Sequence, residues 1–241
     1  MDSKAGESGK EATNGLLGQQ PLDLYIFVDK SKSVAFDKGE VLQKAEAKLK
    51  EALVLLKNEG DRASIYYIHG NTASAGALYS YTFPKFVLPN NANTIETNNA
   101  RRRYNNLLSQ ERGKILQVFR NSLKVANDKI TEKGTDVIGA LEVLSENSTN
   151  SYRKHVLIFS DGIQTTNKIG TNASNVQQAE EKALKDLKVI NAKYSINKAV
   201  TSNTNAVMVL PYTSLATTHN KYLDDYWRKI FRNYGVSLAF N

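Results

Sequence analysis

The sequence predicts an α/β fold with a mostly parallel central sheet, on three observations. Short runs rich in β-branched and aromatic residues, LDLYIFV at 22–28, KHVLIFS at 154–160 and NAVMVL at 205–210, read as buried strands. Between them lie longer segments whose apolar residues recur at helical spacing. The two kinds of segment alternate, as a parallel sheet with helical crossovers requires.

Each element follows in order. After the first strand, residues 38–57 place Val41, Ala45, Leu49, Ala52, Leu53 and Leu56 on one side of a helix and charges on the other, and NEGDR stops it at Gly60. RASIYYI at 62–68 and ALYSYTF at 77–83 read as strands; the short turn HGNTASAG between them makes an antiparallel pair. Residues 84–108 have little apolar pattern and read as loop-rich. A helix is expected over 109–130, carried by Ile115, Leu116, Phe119, Leu123, Ala126 and Ile130, until TEKGTD breaks it. A shorter one covers 136–146, with Val137, Ala140, Leu141 and Leu144 on one side. Past the strand at 154–160, a helix is expected at 173–188, and Pro211 closes the strand at 205–210. An aromatic helix over 219–233 puts Trp227, Ile230, Phe231 and Tyr234 on its apolar side and stops at Gly235, and VSLAF forms the last strand.

Bulk composition narrows the function classes. A chain of 241 residues with 41% hydrophobic content supports one substantial core, assigned to 21–241. Residues 1–20 are small and polar, lack the apolar run of a signal peptide, and read as a disordered tail. No window reaches 18 uninterrupted apolar residues, so no transmembrane segment is expected; the chain reads as a monomer, either cytoplasmic or processed and tethered to an envelope. The absence of cysteine removes disulfides, zinc thiolate sites and cysteine nucleophiles. The net charge of +8 is compatible with nucleic acid, an anionic surface or an acidic protein partner, but most basic residues are lysines scattered on helices, as on a solvated face; the one dense basic cluster is Arg101, Arg102 and Arg103, ahead of Tyr104.

Three segments offer hard oxygen ligands just past strands or at helix starts. They are DKSKS (Asp29, Ser31, Ser33), KGTD (Thr135, with Asp136 beside it) and FSDG (Asp161, with Ser160 before it). In an extended segment residues i, i+2 and i+4 share a face, so Asp29, Ser31 and Ser33 converge while Lys30 and Lys32 are expected to face water. Carboxylates and hydroxyls without sulfur or imidazole suit a hard cation: Mg²⁺, with Mn²⁺ or Ca²⁺ as alternatives. Taken singly, each segment is better explained as a turn or helix cap. Their joint occurrence in this order on an α/β pattern is what points to a metal.

With these motifs in register, the chain resembles a von Willebrand factor A domain of bacterial type, the fold shared with integrin I domains. That family carries a metal-ion-dependent adhesion site built from D-x-S-x-S, a later Thr in a G-T-D-like loop and a later Asp in an S-D-G-like loop. The matching residues are Asp29, Ser31, Ser33, Thr135 and Asp161, and the resemblance spans about 20–241. It implies a Rossmann-like α/β/α sandwich with sheet order 3-2-1-4-5-6 and strand 3 antiparallel. It also implies that Ser31 and Ser33 bind the cation directly, that Thr135 does so directly or through water, and that Asp29 and Asp161 act mostly through bridging waters. A partner protein would then supply an Asp or Glu carboxylate, steered by the basic surface.

Other chemistry finds less support. His69, His155 and His219 have no metal-ligand spacing and sit in no nucleophile turn, so no catalytic residue is assigned and the chain is read as a non-enzyme. A metal-assisted hydrolase would need a general base, for which Asp136 is the candidate. A nucleic-acid-binding alternative would use Arg101, Arg102 and Arg103 and the lysine-rich surface.

Overall fold

The computed structural model describes residues 20–31, 34, 36, 39–74, 76–125, 134–170, 173–212 and 221–241. The expected tail, apart from Gln20, and the expected ligand Ser33 therefore lie outside the described residues.

Six strands form one sheet: β1 (Leu22–Asp29), β2 (Arg62–Ile68), β3 (Tyr79–Thr82), β4 (Arg153–Phe159), β5 (Thr204–Val209) and β6 (Val236–Phe240), in the order β3-β2-β1-β4-β5-β6. All neighbours are parallel except β2 and β3, where Arg62 pairs with Thr82 and Ile65 with Tyr79 in antiparallel register. The order and the single reversed strand are those the sequence resemblance implied.

The central strand shows why this sheet needs helices on both faces. Every residue of β1 is buried. Successive side chains of a strand point to opposite faces. Leu22, Leu24, Ile26 and Val28 pack on one side with α1 (Gly39–Leu53) and α2 (Thr94–Lys124). Tyr25 and Phe27 pack on the other with α3 (Gly139–Asn147), α4 (Val176–Lys193) and α6 (Lys221–Asn233). Each such aliphatic side chain contributes about 1.5–3 kcal/mol on burial, so a charge at Ile26 would unfold the centre of the sandwich.

The helices follow the expected positions with shifted ends. The helix expected over 38–57 ends at Leu53, and that expected at 136–146 starts at Gly139 after a buried turn through Val137 and Ile138. That expected at 173–188 runs from Val176 to Lys193. A one-turn helix α5 (Lys198–Thr201), begun by the Asn197 side chain accepting from the Ala199 N–H, was not expected.

The largest departure concerns 84–108. Its second half is helical: α2 begins at Thr94 and runs 31 residues, so Arg101, Arg102 and Arg103 lie on a helix and not in a loop. Asn93 caps it, accepting from the Glu96 N–H while the Glu96 side chain accepts from the Asn93 N–H. The first fully buried side chain of α2 is Leu108; the preceding turns are mostly exposed, with only Thr97, Ala100, Tyr104 and Leu107 half-buried along one side. The expected extension of this helix to 130 falls on residues 126–130, outside the described residues.

Candidate metal site

The chain folds the first and third motifs into neighbouring strand ends. β1 and β4 are parallel neighbours with Val28 opposite Phe159, so Asp29 and Ser160 leave the sheet side by side. From here the connections run outward in opposite directions, to β2 and β3 on one side and β5 and β6 on the other. Such a switch point leaves a crevice at the carboxyl ends of the strands, where α/β sheets bind ligands.

Asp29 and Asp161 are both buried, at 3% and 1% exposure. Asp29 Oδ2 accepts from the Ser160 hydroxyl at 2.6 Å, and Oδ1 accepts from the Ser31 N–H at 2.7 Å. The Ser31 hydroxyl also bonds this carboxylate. Asp161 Oδ1 accepts from the Ile163 N–H at 2.9 Å, while Oδ2 is buried and has no hydrogen-bond partner among the described residues. Burial is the main reason that Asp29 is pushed up to about 6; the Ser160 and Ser31 bonds oppose the shift, and the negative charge of Asp161 adds to it. Two carboxylates that sense each other out of water, one with an orphaned oxygen, form a local charge excess. Asp29, engaged by donors on both oxygens, holds the ends of β1 and β4 together.

The second motif is anchored against the third. The Thr135 N–H donates to Thr165 Oγ1 at 2.8 Å. Its carbonyl accepts from the Thr165 N–H at 3.1 Å and from the Thr166 hydroxyl at 3.3 Å. Thr135 itself is 1% exposed. Asp136 is spent on the frame: Oδ1 accepts from the Tyr194 hydroxyl at 2.7 Å, the Gly139 N–H at 3.2 Å and Gln164 Nε2 at 3.4 Å, and Oδ2 from the Thr72 N–H at 3.4 Å.

Behind these loops, α6 fixes the turn after Asp161. The indole N–H of the fully buried Trp227 donates to the Gly162 carbonyl at 2.8 Å. Gly162 has φ +73, and a Cβ there would lie 3.2 Å from both Met208 Sδ and Trp227 Nε1. Glycine is required twice over, by the left-handed backbone and by the packing. On the open side, Ile163 is 49% exposed.

Of the predicted ligands, Asp29, Ser31, Thr135 and Asp161 are drawn to the loops at one end of the sheet, and Ser33 is outside the described residues. Ser160, Thr165, Thr166, Gln164 and Trp227 were not assigned roles; the sequence DGIQTT placed the two threonines beside the motif, but their partner Thr135 is distant in the chain. Lys30 corrects an expectation. It does not face water: it is 8% exposed, and its ammonium donates to the Leu123 carbonyl at 3.3 Å, at the C-terminal end of α2. Helix C-terminal carbonyls attract cations, and Lys30 continues the face of Leu24, Ile26 and Val28, which α1 and α2 cover. Lys32 is outside the described residues.

Among the described residues no three His, Cys, Asp or Glu side chains gather in a way that could hold a metal. The donor set predicted here is different in kind, with two carboxylates and otherwise hydroxyls, and Asp161 Oδ2 has the free lone pairs a cation or its water would take. No described helix is long and apolar enough to cross a membrane.

No family model and no curated protein matches this chain. Solved structures do show similarity. Proximal thread matrix protein 1 from the mussel byssus aligns at 14% identity and a TM-score of 0.37, over 92% of this chain and 44% of that one. A form of the same protein with a zinc-occupied MIDAS motif aligns at 14% identity and a TM-score of 0.36, over 92% and 44%. The human COPII-coat protein Sec24c aligns at 12% identity and a TM-score of 0.36, over 92% and 30%. The chain thus spans less than half the length of these proteins.

Proposed function

We propose that this chain is a divalent-cation-dependent protein-binding module. In this reading Ser31, Ser33 and Thr135 offer hydroxyl ligands to Mg²⁺, Asp29 and Asp161 balance its charge, and the ion captures an Asp or Glu carboxylate of a partner protein. The observation that carries the reading is the orphaned, buried oxygen of Asp161 beside the buried carboxylate of Asp29 at a sheet switch point. A cation there would relieve both the desolvation and the like-charge repulsion. Neutral hydroxyls as direct ligands leave the ion electron-poor, which favours an outside carboxylate. The exposed Ile163 offers such a partner an apolar contact at the rim. A hydrolytic role has less to draw on, because the one candidate base, Asp136, is already engaged by four donors.

Calorimetric titration of Mg²⁺ into the wild type and into the Ser31→Ala/Ser33→Ala double variant tests the proposal. The wild type should bind one ion and the variant should bind none while keeping its circular dichroism. Equal binding by both would refute the ligand assignment.

A further inference from the structure

The end of the molecule opposite the metal site carries features that metal-dependent binding does not use. β3 runs antiparallel to β2, so the chain leaves it where β1 and β2 begin. The Gly60 N–H donates to the Phe83 carbonyl at 2.9 Å, and the Phe83 N–H to the Asp61 carbonyl at 2.8 Å. Asp61 also ties the segment after α1 to the start of β1, accepting from the N–H groups of Lys57 and Asn58 and from that of Leu22. The segment after Phe83 and the mostly exposed first turns of α2 are fastened there: the Tyr104 hydroxyl donates to the Pro84 carbonyl, its ring packs on Phe86 at 5.4 Å, and the Phe86 N–H donates to Glu59.

On this frame stand five of the nine exposed large hydrophobic residues among the described ones: Val87 (74%), Ile95 (73%), Val54 (65%), Leu55 (44%) and Leu88 (39%). Around them are Lys57, Lys85, Arg101, Arg102 and Arg103, all exposed. None of the three arginines meets a carboxylate among the described residues. The only acidic residues in the segments 54–60 and 84–103 are Glu59 and Glu96, and both accept backbone N–H bonds. Ile95 and Arg102 are seven residues apart and share a helix face, about 10 Å from each other along the axis.

We propose that this end is a docking surface for an anionic lipid bilayer. Val87 and Ile95 are about three-quarters exposed, with little protein around either side chain, which suits insertion at the boundary between headgroups and acyl chains better than capture of a peptide's side chain. The unpaired cations behind them match a negative headgroup layer. Docking in this way would turn the metal-bearing loops away from the membrane, toward a partner in solution.

The test is co-sedimentation of the full chain, in chelator, with phosphatidylcholine vesicles and with vesicles also containing phosphatidylglycerol. The chain should bind only the anionic vesicles, and added salt should weaken binding. Arg101→Gln/Arg102→Gln/Arg103→Gln should weaken it by roughly fivefold per cation. Val87→Asp/Ile95→Asp, at exposed positions that leave the core intact, should abolish it. No binding by the wild type, or binding unchanged in both variants, overturns the proposal. Loss in the arginine variant alone would mean electrostatic adhesion without insertion and overturn the bilayer-insertion claim. Binding to duplex DNA or RNA with none to vesicles would assign the surface to nucleic acid instead.

Discussion

Asp161→Asn should have effects of opposite sign with and without metal. The side-chain oxygen that accepts from the Ile163 N–H is kept, while an uncharged amide takes the place of the buried oxygen that has no partner among the described residues. A buried polar group left unsatisfied costs about 1–3 kcal/mol, more when charged. Asp29 supplies a second gain: holding it charged in a site that pushes it from 3.8 up to about 6 costs ~3 kcal/mol at neutral pH, and the charge of Asp161 accounts for a minor part. A net gain of about 1 kcal/mol in chelator follows, which for a domain of this size raises Tm by about 2–4 °C. Mg²⁺ at a hundredfold excess over its Kd should stabilise the wild type by about 2.7 kcal/mol and leave the variant unchanged. Thermal unfolding by circular dichroism, with chelator or with Mg²⁺, reads both effects. A variant less stable than wild type in chelator, yet still stabilised by Mg²⁺, would refute the reasoning.

Two further outcomes can be checked on the same apparatus. Because the fold raises the Asp29 pKa, the native state holds this proton more tightly than the unfolded chain, so in chelator the group's contribution to stability should fall as pH rises from 3.8 to about 6; Asp29→Asn should remove that slope from a urea-unfolding series. Gly162→Ala forces a left-handed residue and crowds Trp227 and Met208, and should lower stability by about 1–3 kcal/mol in chemical unfolding while weakening Mg²⁺ binding, because the turn that carries Asp161 must shift.

Much of this architecture was legible in the chain. The inner strands announced themselves because a sheet covered on both faces needs continuous apolar runs such as LYIFV and VLIF, and the edge strands β3 and β6 through aromatic and aliphatic residues at alternate positions. The first half of α2 did not, because helix periodicity records a buried apolar face, and 94–107 offers only a half-buried one of mixed character, along Thr97, Ala100, Tyr104 and Leu107. Its real signal was local, Asn93 followed three residues later by Glu96, a capping pair in a stretch that looked like an Asn-rich loop. The motif residues were readable for the same reason that they are weak signals singly: each is a polar residue placed just past a strand or at a helix start. What sequence could not supply was their support. Thr165 and Thr166 matter through Thr135, and Trp227 through Gly162, and these pairings exist only once the loops are folded together. Lys30 departs from expectation because the face opposite Asp29 is not open to water: it is the face of Leu24, Ile26 and Val28, and the side chain reaches the end of α2 there.

The most direct test is to locate the ion. Mn²⁺ is paramagnetic and broadens the amide signals of nearby residues, so titrating it into isotopically labelled protein maps the site residue by residue. The account predicts that Asp29, Ser31, Thr135, Asp161, Gly162 and Ile163 broaden first and together, that Mg²⁺ reverses the effect, and that Arg101, Arg102 and Arg103 remain sharp. Broadening centred elsewhere, or none at these loops, would contradict it.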